Sequence, residues 1–265
     1  MIQLPLLGSL DVEGYGMFPG SKSTPGLHVN FKPGLTLVLG ANGLGKTTLI
    51  TLIYRMCTGP YEIAGISGST ALGRRKLEVT RLPPRDKRVL AARVFDEAVK
   101  ARATLCLIFG NDRVTITRNL HALTLTQLSC NHTDLQATED RFQKLIVDLS
   151  GLPSFGDWIL VLRYLVFYFE ERRELVWDPS AQRQILRLLL LPGSNAAAWA
   201  AKERKVLELD SRVRNLQNTL NREEREEQRA KVKVKNKKDA IEEILKLEES
   251  LAARGRSRLL LAGHA

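Results

Sequence analysis

The residues best suited to chemistry lie in one glycine-rich run, Gly40-Ala41-Asn42-Gly43-Leu44-Gly45-Lys46-Thr47-Thr48. Glycines adopt positive φ readily, so the backbone of such a loop can turn its N–H groups toward phosphate oxygens. The spacing predicts that Lys46 contacts the β- and γ-phosphates of a nucleoside triphosphate, a catalytic role, and that the Thr47 hydroxyl ligates Mg²⁺. The predicted nucleotide-binding residues are Gly40, Asn42, Gly43, Leu44, Gly45, Lys46, Thr47 and Thr48.

The segments on either side of this phosphate loop support the same interpretation. The apolar run Leu35 to Leu39 predicts a short strand buried on both faces, and the run LITLIYRM after the loop predicts a helix. The N-terminus of that helix adds partial positive charge where phosphate would lie. A glycine-rich turn that matched the spacing by chance would not require a strand before it and a helix after it. Because both are predicted here, we predict a nucleoside triphosphate site.

The rest of the first 191 residues alternates between strand-like and helix-like patterns. Asp112 follows an apolar run, but it lies in turn-forming Gly110-Asn111-Asp112, which favours a hairpin over a metal-binding acid at the end of a strand. The predicted strands are Leu10–Phe18, Leu27–Phe31, Thr104–Gly110, Val114–Leu120 and one from His121, and the predicted helices are Thr138–Leu149 and Ser180–Leu191. His121 and His132 have no partners at metal-ligand spacing, so they are interpreted as ordinary histidines.

The chain has an excess of positive charge, with 40 Lys and Arg against 29 Asp and Glu and a net charge of +11. More than half of that excess lies in Ser67–Arg102, which has ten basic and four acidic side chains and a net charge of +6. Two interpretations are open, a DNA-facing surface and a solvated loop whose counter-charges lie elsewhere. The DNA-facing candidates are Arg74, Arg75, Lys76, Arg81, Arg85, Lys87 and Arg88.

Composition excludes several other classes of protein. The three cysteines, Cys57, Cys106 and Cys130, are widely spaced, which argues against a disulfide framework or a zinc site. The most apolar stretch, Trp158 to Phe169, is too short for a transmembrane helix and contains Arg163, so we predict a buried core element. The N-terminus has no basic region or small-residue cleavage site, which predicts a cytoplasmic protein without a membrane partner. The DNA-facing interpretation of the basic segment would make it nucleoid-associated.

Beyond Val206 the apolar and small residues follow a seven-residue repeat, abcdefg, which is typical of a coiled coil. The a positions are Val206, Val213, Leu220, Val234 and Ile241, and the d positions are Leu209, Leu216, Ala230, Ile244 and Leu251. Charged residues interrupt the repeat at Glu223, Glu227, Lys237 and Glu248. The predicted organisation is an α/β lobe over residues 1–196, a coiled-coil arm over 197–254 and a tail or linker over 255–265.

This order of parts resembles the N-terminal half of the ATPase head of the SMC (structural maintenance of chromosomes) family. It looks most like the SbcC-type repair ATPases and the SMC-like subunit of bacterial Lamassu defence systems. The resemblance implies a P-loop, ABC-type head lobe with a mixed sheet, followed by an ascending coiled-coil helix. It also implies that ATP and Mg²⁺ bind between two heads, and that binding and hydrolysis are coupled to double-stranded DNA in repair, chromosome organisation or defence against phage and plasmids.

The resemblance also indicates what is different or absent here. The family has a glutamine before its first coiled-coil helix that contacts Mg²⁺ and the attacking water, and the matching stretch, Phe167 to Arg172, has Glu171 at the best-matching place. The family's signature motif, Walker B acids and switch histidine lie in a C-terminal half, and we find none of them here. We therefore expect an N-terminal half that needs its C-terminal half, a second head and DNA as partners, with a nuclease or other accessory subunit as a further candidate.

Three other functions remain as alternatives. A DNA-binding scaffold that binds nucleotide without hydrolysing it would have the same loop and the same basic segment. A transporter nucleotide-binding subunit would have the loop but no heptad arm after it. A small P-loop kinase would need an acceptor site and a lid, and the coiled coil argues against it.

Overall fold

The computed structural model of the chain describes residues 2–63, 79–169 and 179–262. The predicted mixed α/β lobe followed by a long helix is confirmed. The strands are β1 (Leu6–Glu13), β2 (Leu27–Asn30), β3 (Tyr61–Ile63), β4 (Val79–Arg81), β5 (Arg102–Phe109), β6 (Asp112–Asn119), β7 (Leu125–Cys130) and β8 (Thr133–Leu135). The α-helices are α1 (Lys46–Thr58), α2 (Pro84–Lys87), α3 (Glu139–Ser150), α4 (Phe155–Val161), α5 (Pro179–Leu190) and α6 (Gly193–Ala262). A 3₁₀ turn spans Ala91–Arg93, and a π-helical turn spans Leu162–Val166.

The main sheet is antiparallel and has the strand order β2-β1-β5-β6-β7-β8. The predicted first hairpin is confirmed, because β1 pairs with β2 around Pro19–Gly26, although β1 begins and ends earlier than predicted. Leu10 and Val12 of β1 lie opposite Leu105 and Ala103 of β5, and all four side chains are fully buried. Strands β3 and β4 form a separate two-stranded sheet that the sequence pattern did not indicate.

The second predicted hairpin is also confirmed. Strands β5 and β6 pair along their whole length around Gly110, which has φ +58°. Asp112 is the first residue of β6 and accepts a hydrogen bond of 2.8 Å from Asn131 Nδ2, so its role in the structure is that of a turn residue. The next strand starts at Leu125 rather than at His121, because the Asn119 side chain accepts a hydrogen bond from the His121 backbone N–H and closes a turn there.

Helices α3 and α5 follow the sequence prediction closely. Thr138 caps α3 through its side chain and Gly151 ends the helix with φ +67°, so each end of α3 lies within one residue of the predicted helix Thr138–Leu149. The predicted core element is confirmed in α4, where Trp158 is fully buried and donates to Cys57 O at 3.0 Å, and at Leu162 and Tyr164 of the π-helical turn. Tyr168 at its C-terminal end is instead 71% exposed.

The predicted buried strand Leu35–Leu39 is the main correction. These residues form no strand, and within the described part of the chain no other segment pairs with them. Leu35 and Leu39 are each 87% exposed, and Leu37 and Val38 are also exposed. A parallel-type strand is buried only when neighbouring strands and helices cover both faces, and no described element does so here.

Contacts divide the chain into two compact units, Met1–Arg204 and Lys205–Ala265. The first contains the sheets and helices α1 to α5, and the second is the remainder of α6. In the described residues no single helix is long and apolar enough to span a membrane. One pair of helices has the required length and hydropathy when the two are taken together, and these helices are bent by 66° relative to each other: Glu139–Ser150 and Phe155–Val166.

Candidate nucleotide-binding site

The phosphate loop leads directly into α1, whose first residue is Lys46. Gly43 and Gly45 have φ angles of +88° and +84°, so the loop depends on the left-handed conformation at both positions. Gly45 caps α1 without a side-chain hydrogen bond, and the first turn has no acidic residue. The first N–H groups of this 13-residue helix are therefore available to an anion.

The Lys46 side chain curls back over the loop. Its Nζ donates to Gly40 O at 2.6 Å and to Ala41 O at 2.8 Å, which holds the ammonium group beside the loop backbone. Thr47 is exposed, and its carbonyl accepts a hydrogen bond of 2.8 Å from Thr51 Oγ1. The Thr47 hydroxyl is therefore at the surface of the loop, where a metal ion bound to phosphate could reach it.

Around the loop lies a cavity of about 250 Å³. Its lining residues are Met17, Asn42, Gly43, Gly45, Lys46, Thr47, Thr48 and Arg93. The structure thus brings six of the eight predicted nucleotide-binding residues together at one cavity. Of the other two, Gly40 holds Lys46, while Leu44 lies with its side chain against Gly40 and is 64% exposed.

Arg93 is a site residue that the sequence pattern did not identify. It is the last residue of the 3₁₀ turn Ala91–Arg93, and its Nη1 donates to Thr48 Oγ1 at 2.8 Å. A second cation therefore lies beside Lys46 at the phosphate cavity. Arg93 and Thr48 are 45 residues apart, and only the position of Arg93 within a basic segment could have drawn attention to it.

The other wall of the cavity comes from the segment that follows β1. Tyr15 donates to Leu90 O at 2.9 Å, which ties this segment to the 3₁₀ turn that carries Arg93. Burial raises the pKa of the Tyr15 hydroxyl, with a smaller opposite effect from Arg93, so the hydroxyl remains a donor. Phe18 packs on Tyr15 at a ring distance of 5.7 Å, and Phe18 and Met17 occupy the space that a Cβ at position 45 would need.

The AAA domain family matches residues 9–254, which is nearly the whole chain. The chain belongs to this family. It is therefore a nucleotide-binding ATPase domain of the AAA type, in the family that contains the SMC-like and SbcC ATPases. No curated protein matches the chain.

This AAA family typically uses ATP and Mg²⁺, and the residues present fit both groups. The cavity has two cations, open helix N–H groups and a hydroxyl, and a Cβ at Gly43 would meet nothing within 4 Å, so phosphate can approach the backbone there. The described residues contain no cluster of three or more His, Cys, Asp and Glu side chains that could hold a metal by itself. Mg²⁺ in phosphate sites needs few protein ligands because phosphate oxygens and water supply the others.

The remaining predicted residues lie elsewhere in the AAA domain or outside the described residues. Glu171, Arg74, Arg75 and Lys76 belong to the segments that the structure does not describe. Arg81 lies on β4 and Arg85 and Lys87 lie on α2, and the two arginines are exposed. Arg88 is half-buried and forms an ion pair with Glu97, so part of its charge is neutralised.

The glycine at position 45 should tolerate substitution less well than the one at position 43. In Gly45→Ala the Cβ would lie 3.0 Å from Phe18 Cε1 and 3.1 Å from Met17 Cγ, in addition to the strain of positive φ. We expect this variant to lose nucleotide affinity by at least about tenfold, because a left-handed alanine costs roughly 1–2 kcal/mol before any clash. Gly43→Ala has the same φ strain without the clash and should lose less; titration with a fluorescent ATP analogue compares the two. Equal losses would contradict the packing argument.

Proposed function

We propose that this AAA domain is the ATP-binding lobe of an SMC-like ATPase head, which pairs with a second head around ATP and couples nucleotide binding and hydrolysis to DNA. The observation that carries the proposal is the phosphate loop at the start of α1, with Lys46 and Arg93 facing one cavity. The processes it would serve are DNA repair, chromosome organisation or defence against phage and plasmids, with a Lamassu-type subunit as one instance.

Each residue of the cavity has a defined part in this proposal. Lys46 exchanges the carbonyls of Gly40 and Ala41 for the β- and γ-phosphates, which a point charge can do without rearranging the backbone. Thr47 Oγ1 would hold Mg²⁺, which would supply positive charge against the phosphates. Arg93 exchanges Thr48 Oγ1 for a phosphate oxygen, a stronger acceptor for a guanidinium.

Hydrolysis requires groups that this cavity does not bring together. The water must be positioned by a carboxylate or amide group, for which Glu171 is our candidate, and the transition-state charge calls for donors from a second head. We therefore propose that this lobe alone binds ATP weakly and hydrolyses it slowly. A nuclease or other accessory subunit is a further proposed partner.

The exposed segment Leu35–Leu39 supports a requirement for a complementary lobe. Four of its apolar side chains face solvent immediately before the phosphate loop, and its backbone has no ladder partner among the described residues. Adding a strand beside it would bury those side chains and satisfy the backbone groups. We propose that the C-terminal half of the head supplies that strand and thereby orders the loop.

Replacing Arg93 tests the proposed composition of the cavity. We expect Arg93→Ala to raise the Kd for ATP by roughly 10- to 100-fold, because a hydrogen bond to a charged group contributes about 1.5–3 kcal/mol. Arg93→Lys should recover part of the loss, since it restores the charge without the planar fork. Arg85→Ala, an exposed arginine outside the cavity, is the matched control. Calorimetric titration gives the affinities, and an unchanged Kd in Arg93→Ala would remove Arg93 from the site.

DNA binding is tested through its dependence on salt. Arg81, Arg85 and Lys87 have no ion-pair partner among the described residues, so they are available to phosphates. A triple variant, Arg81→Ala with Arg85→Ala and Lys87→Ala, should lower the slope of log affinity against log salt by about one for each DNA phosphate that the variant no longer neutralises. Arg102→Ala is the control, because Arg102 is paired with Glu13 at 2.6 Å. An unchanged slope would favour the solvated-loop interpretation.

Hydrolysis assays on this chain, combined with its complementary lobe, distinguish the ATPase proposal from a DNA-binding scaffold that binds nucleotide without hydrolysing it. The ATPase proposal expects phosphate release that rises when double-stranded DNA is added. The scaffold alternative predicts that DNA binding depends on ATP and that no phosphate is released.

A further inference from the structure

The outward side of α6 carries a run of arginine and amide side chains that the proposed function does not use. In the heptad register of the a and d positions, the b, c and f positions lie on the side of the helix away from the apolar stripe. From residue 218 to residue 236 these outward positions contain no acidic residue. We call them the arginine face, and its polar members are Asn218, Asn221, Arg222, Arg225, Gln228, Arg229, Lys235 and Asn236.

The charges of this stretch are segregated around the helix. Residues 218–238 have eight basic and four acidic side chains, which gives a net charge of +4. The four acids occupy d, e, g and a positions, on the side of the apolar stripe or at its edges: Glu223, Glu224, Glu226 and Glu227. Beyond residue 236 the outward positions become acidic, with Asp239, Glu242 and Glu243. The arginine face is therefore a cationic surface with defined ends.

The structure leaves the arginine face open. Every side chain from 211 to 250 is exposed, and Arg225 and Arg229 form no ion pair within the part of the chain that the structure describes. Arg222 pairs with Glu226 at 3.0 Å, but both side chains are at least 60% exposed, so exchanging this carboxylate for another anion costs little. A shallow groove of about 430 Å³ lies on this face, and it is lined by Asn218, Asn221, Arg222, Arg225, Glu226 and Arg229.

The residue types of the arginine face favour a phosphate backbone as the ligand. Arginine, asparagine and glutamine side chains donate hydrogen bonds to phosphate oxygens, and a guanidinium can do so with two parallel bonds. Arg225 and Arg229 are four residues apart, so their like charges repel in the free helix and a bound polyanion removes that repulsion. The face has no aromatic residue for stacking on unpaired bases, and its one aliphatic residue, Val232, is too little for insertion into a lipid surface.

We propose that the arginine face is a second contact of this chain with double-stranded DNA, in addition to the basic residues of β4 and α2. At 1.5 Å per residue the face extends over about 27 Å, which is most of one turn of a DNA duplex. Pairing of α6 with another helix through its a and d positions leaves the face open, since those positions lie on the opposite side. The choice of DNA over other polyanions rests on the proposed function.

Neutralising the three arginines on the full chain tests the proposal. Binding to a fluorescein-labelled duplex of about 30 base pairs is followed by anisotropy over a series of salt concentrations. R222Q/R225Q/R229Q should raise the Kd for the duplex by roughly tenfold or more. It should also lower the slope of log affinity against log salt by about two to three, since each lost phosphate contact lowers the slope by about one.

The matched control is K231Q/K237Q/K238Q, whose lysines occupy e and d positions of the same stretch. Each of the two variants removes three positive charges, and each removes one ion pair between residues four apart. The control should keep a Kd within about twofold of the parent chain, because exposed charges on the far side of the helix are screened by salt. Circular dichroism should give the same helix content for both variants.

Photocrosslinking locates the DNA on the helix. Gln228→Cys at the centre of the arginine face, and Ser250→Cys at an outward c position beyond it, each carry a benzophenone label. Both are made in a Cys130→Ser background, because Cys130 is the one thiol among the three that is not buried. We expect the label at position 228 to crosslink to the duplex and the label at position 250 not to.

An unchanged Kd and slope in the arginine variant would overturn the proposal, as would equal losses in the two variants, which would indicate attraction by net charge alone. A parent chain that binds no duplex, or a duplex that poly-glutamate displaces at equal charge, would overturn it too, the latter in favour of an acidic protein. The proposed function is tested separately, because ATP titration of the same variants reports on the phosphate cavity and should be unchanged. Combined with Arg81→Ala, Arg85→Ala and Lys87→Ala, the arginine variant should show the sum of the two losses in slope.

Discussion

Replacing Lys46 with alanine is expected to raise the Kd for ATP by at least about 100-fold, and in practice to abolish binding at ordinary concentrations. The lysine contributes the ammonium that faces the cavity, and losing its charged hydrogen bonds to two phosphates costs about 3 kcal/mol or more. Arg93, the other cation in the cavity lining, donates to Thr48 Oγ1 and has its own proposed phosphate contact, so we do not expect it to replace Lys46. Calorimetric titration of ATP with Mg²⁺ into the full chain, and into the chain combined with its complementary lobe, gives the two affinities.

The control for this variant is Lys32→Ala, an exposed lysine before the apolar segment that precedes the loop. It makes the same change of charge and should leave the Kd unchanged. Circular dichroism of both variants should match that of the parent chain, because among the described residues the Lys46 side chain hydrogen-bonds only to carbonyls of its own loop. Unchanged ATP affinity in a folded Lys46→Ala protein would contradict the assignment of the phosphate loop.

The second large effect is expected on stability, from Arg118→Met. Arg118 is fully buried and forms an ion pair with Glu139 in which Nη1 and Oε1 are 2.5 Å apart. It also donates to Leu123 O at 2.9 Å, so one side chain joins β6, the turn before β7 and the start of α3. Removing one partner of a buried pair costs about 3–5 kcal/mol, because the other charge is left uncompensated.

Chemical denaturation followed by the fluorescence of buried Trp158 measures the loss. Arg102→Met on the adjacent strand β5 is the matched control, since the Arg102–Glu13 pair is about half to two-thirds exposed and should contribute less than about 1 kcal/mol. Arg118→Met combined with Glu139→Gln should be less unstable than Arg118→Met alone. If Arg118→Met and Arg102→Met lose the same free energy of unfolding, the buried pair has no special role.

The sequence predicted those features that depend on neighbouring residues. Glycines at positions 43 and 45 with Lys46 indicated a phosphate loop, and the loop has positive φ at both glycines with α1 starting at Lys46. Turn residues placed the β5–β6 hairpin, and the pattern from Thr138 to Leu149 placed both ends of α3 to within one residue. In each case a backbone conformation or a cap is decided within a few residues, so the pattern contains the necessary information.

Features that depend on distant residues could not be predicted in this way. An apolar run such as Leu35–Leu39 indicates what could be buried, but burial requires a neighbouring element, and none of the described residues supplies one. Arg93 was one of ten basic residues in its segment until the fold placed it at Thr48. Arg118 was an unremarked residue of a strand, although it is among the largest fully buried side chains.

The sequence by itself therefore determined the phosphate loop, the hairpins β1–β2 and β5–β6, helices α1, α3 and α5, the heptad repeat of α6 and the amount of charge. Only the tertiary structure decided which side chains share the cavity with Lys46, which arginine is buried and which apolar segment remains exposed. The physical reason is the range of the interactions involved. Backbone conformation and periodicity are set over a few residues, whereas desolvation and ion pairing depend on contacts between residues tens of positions apart.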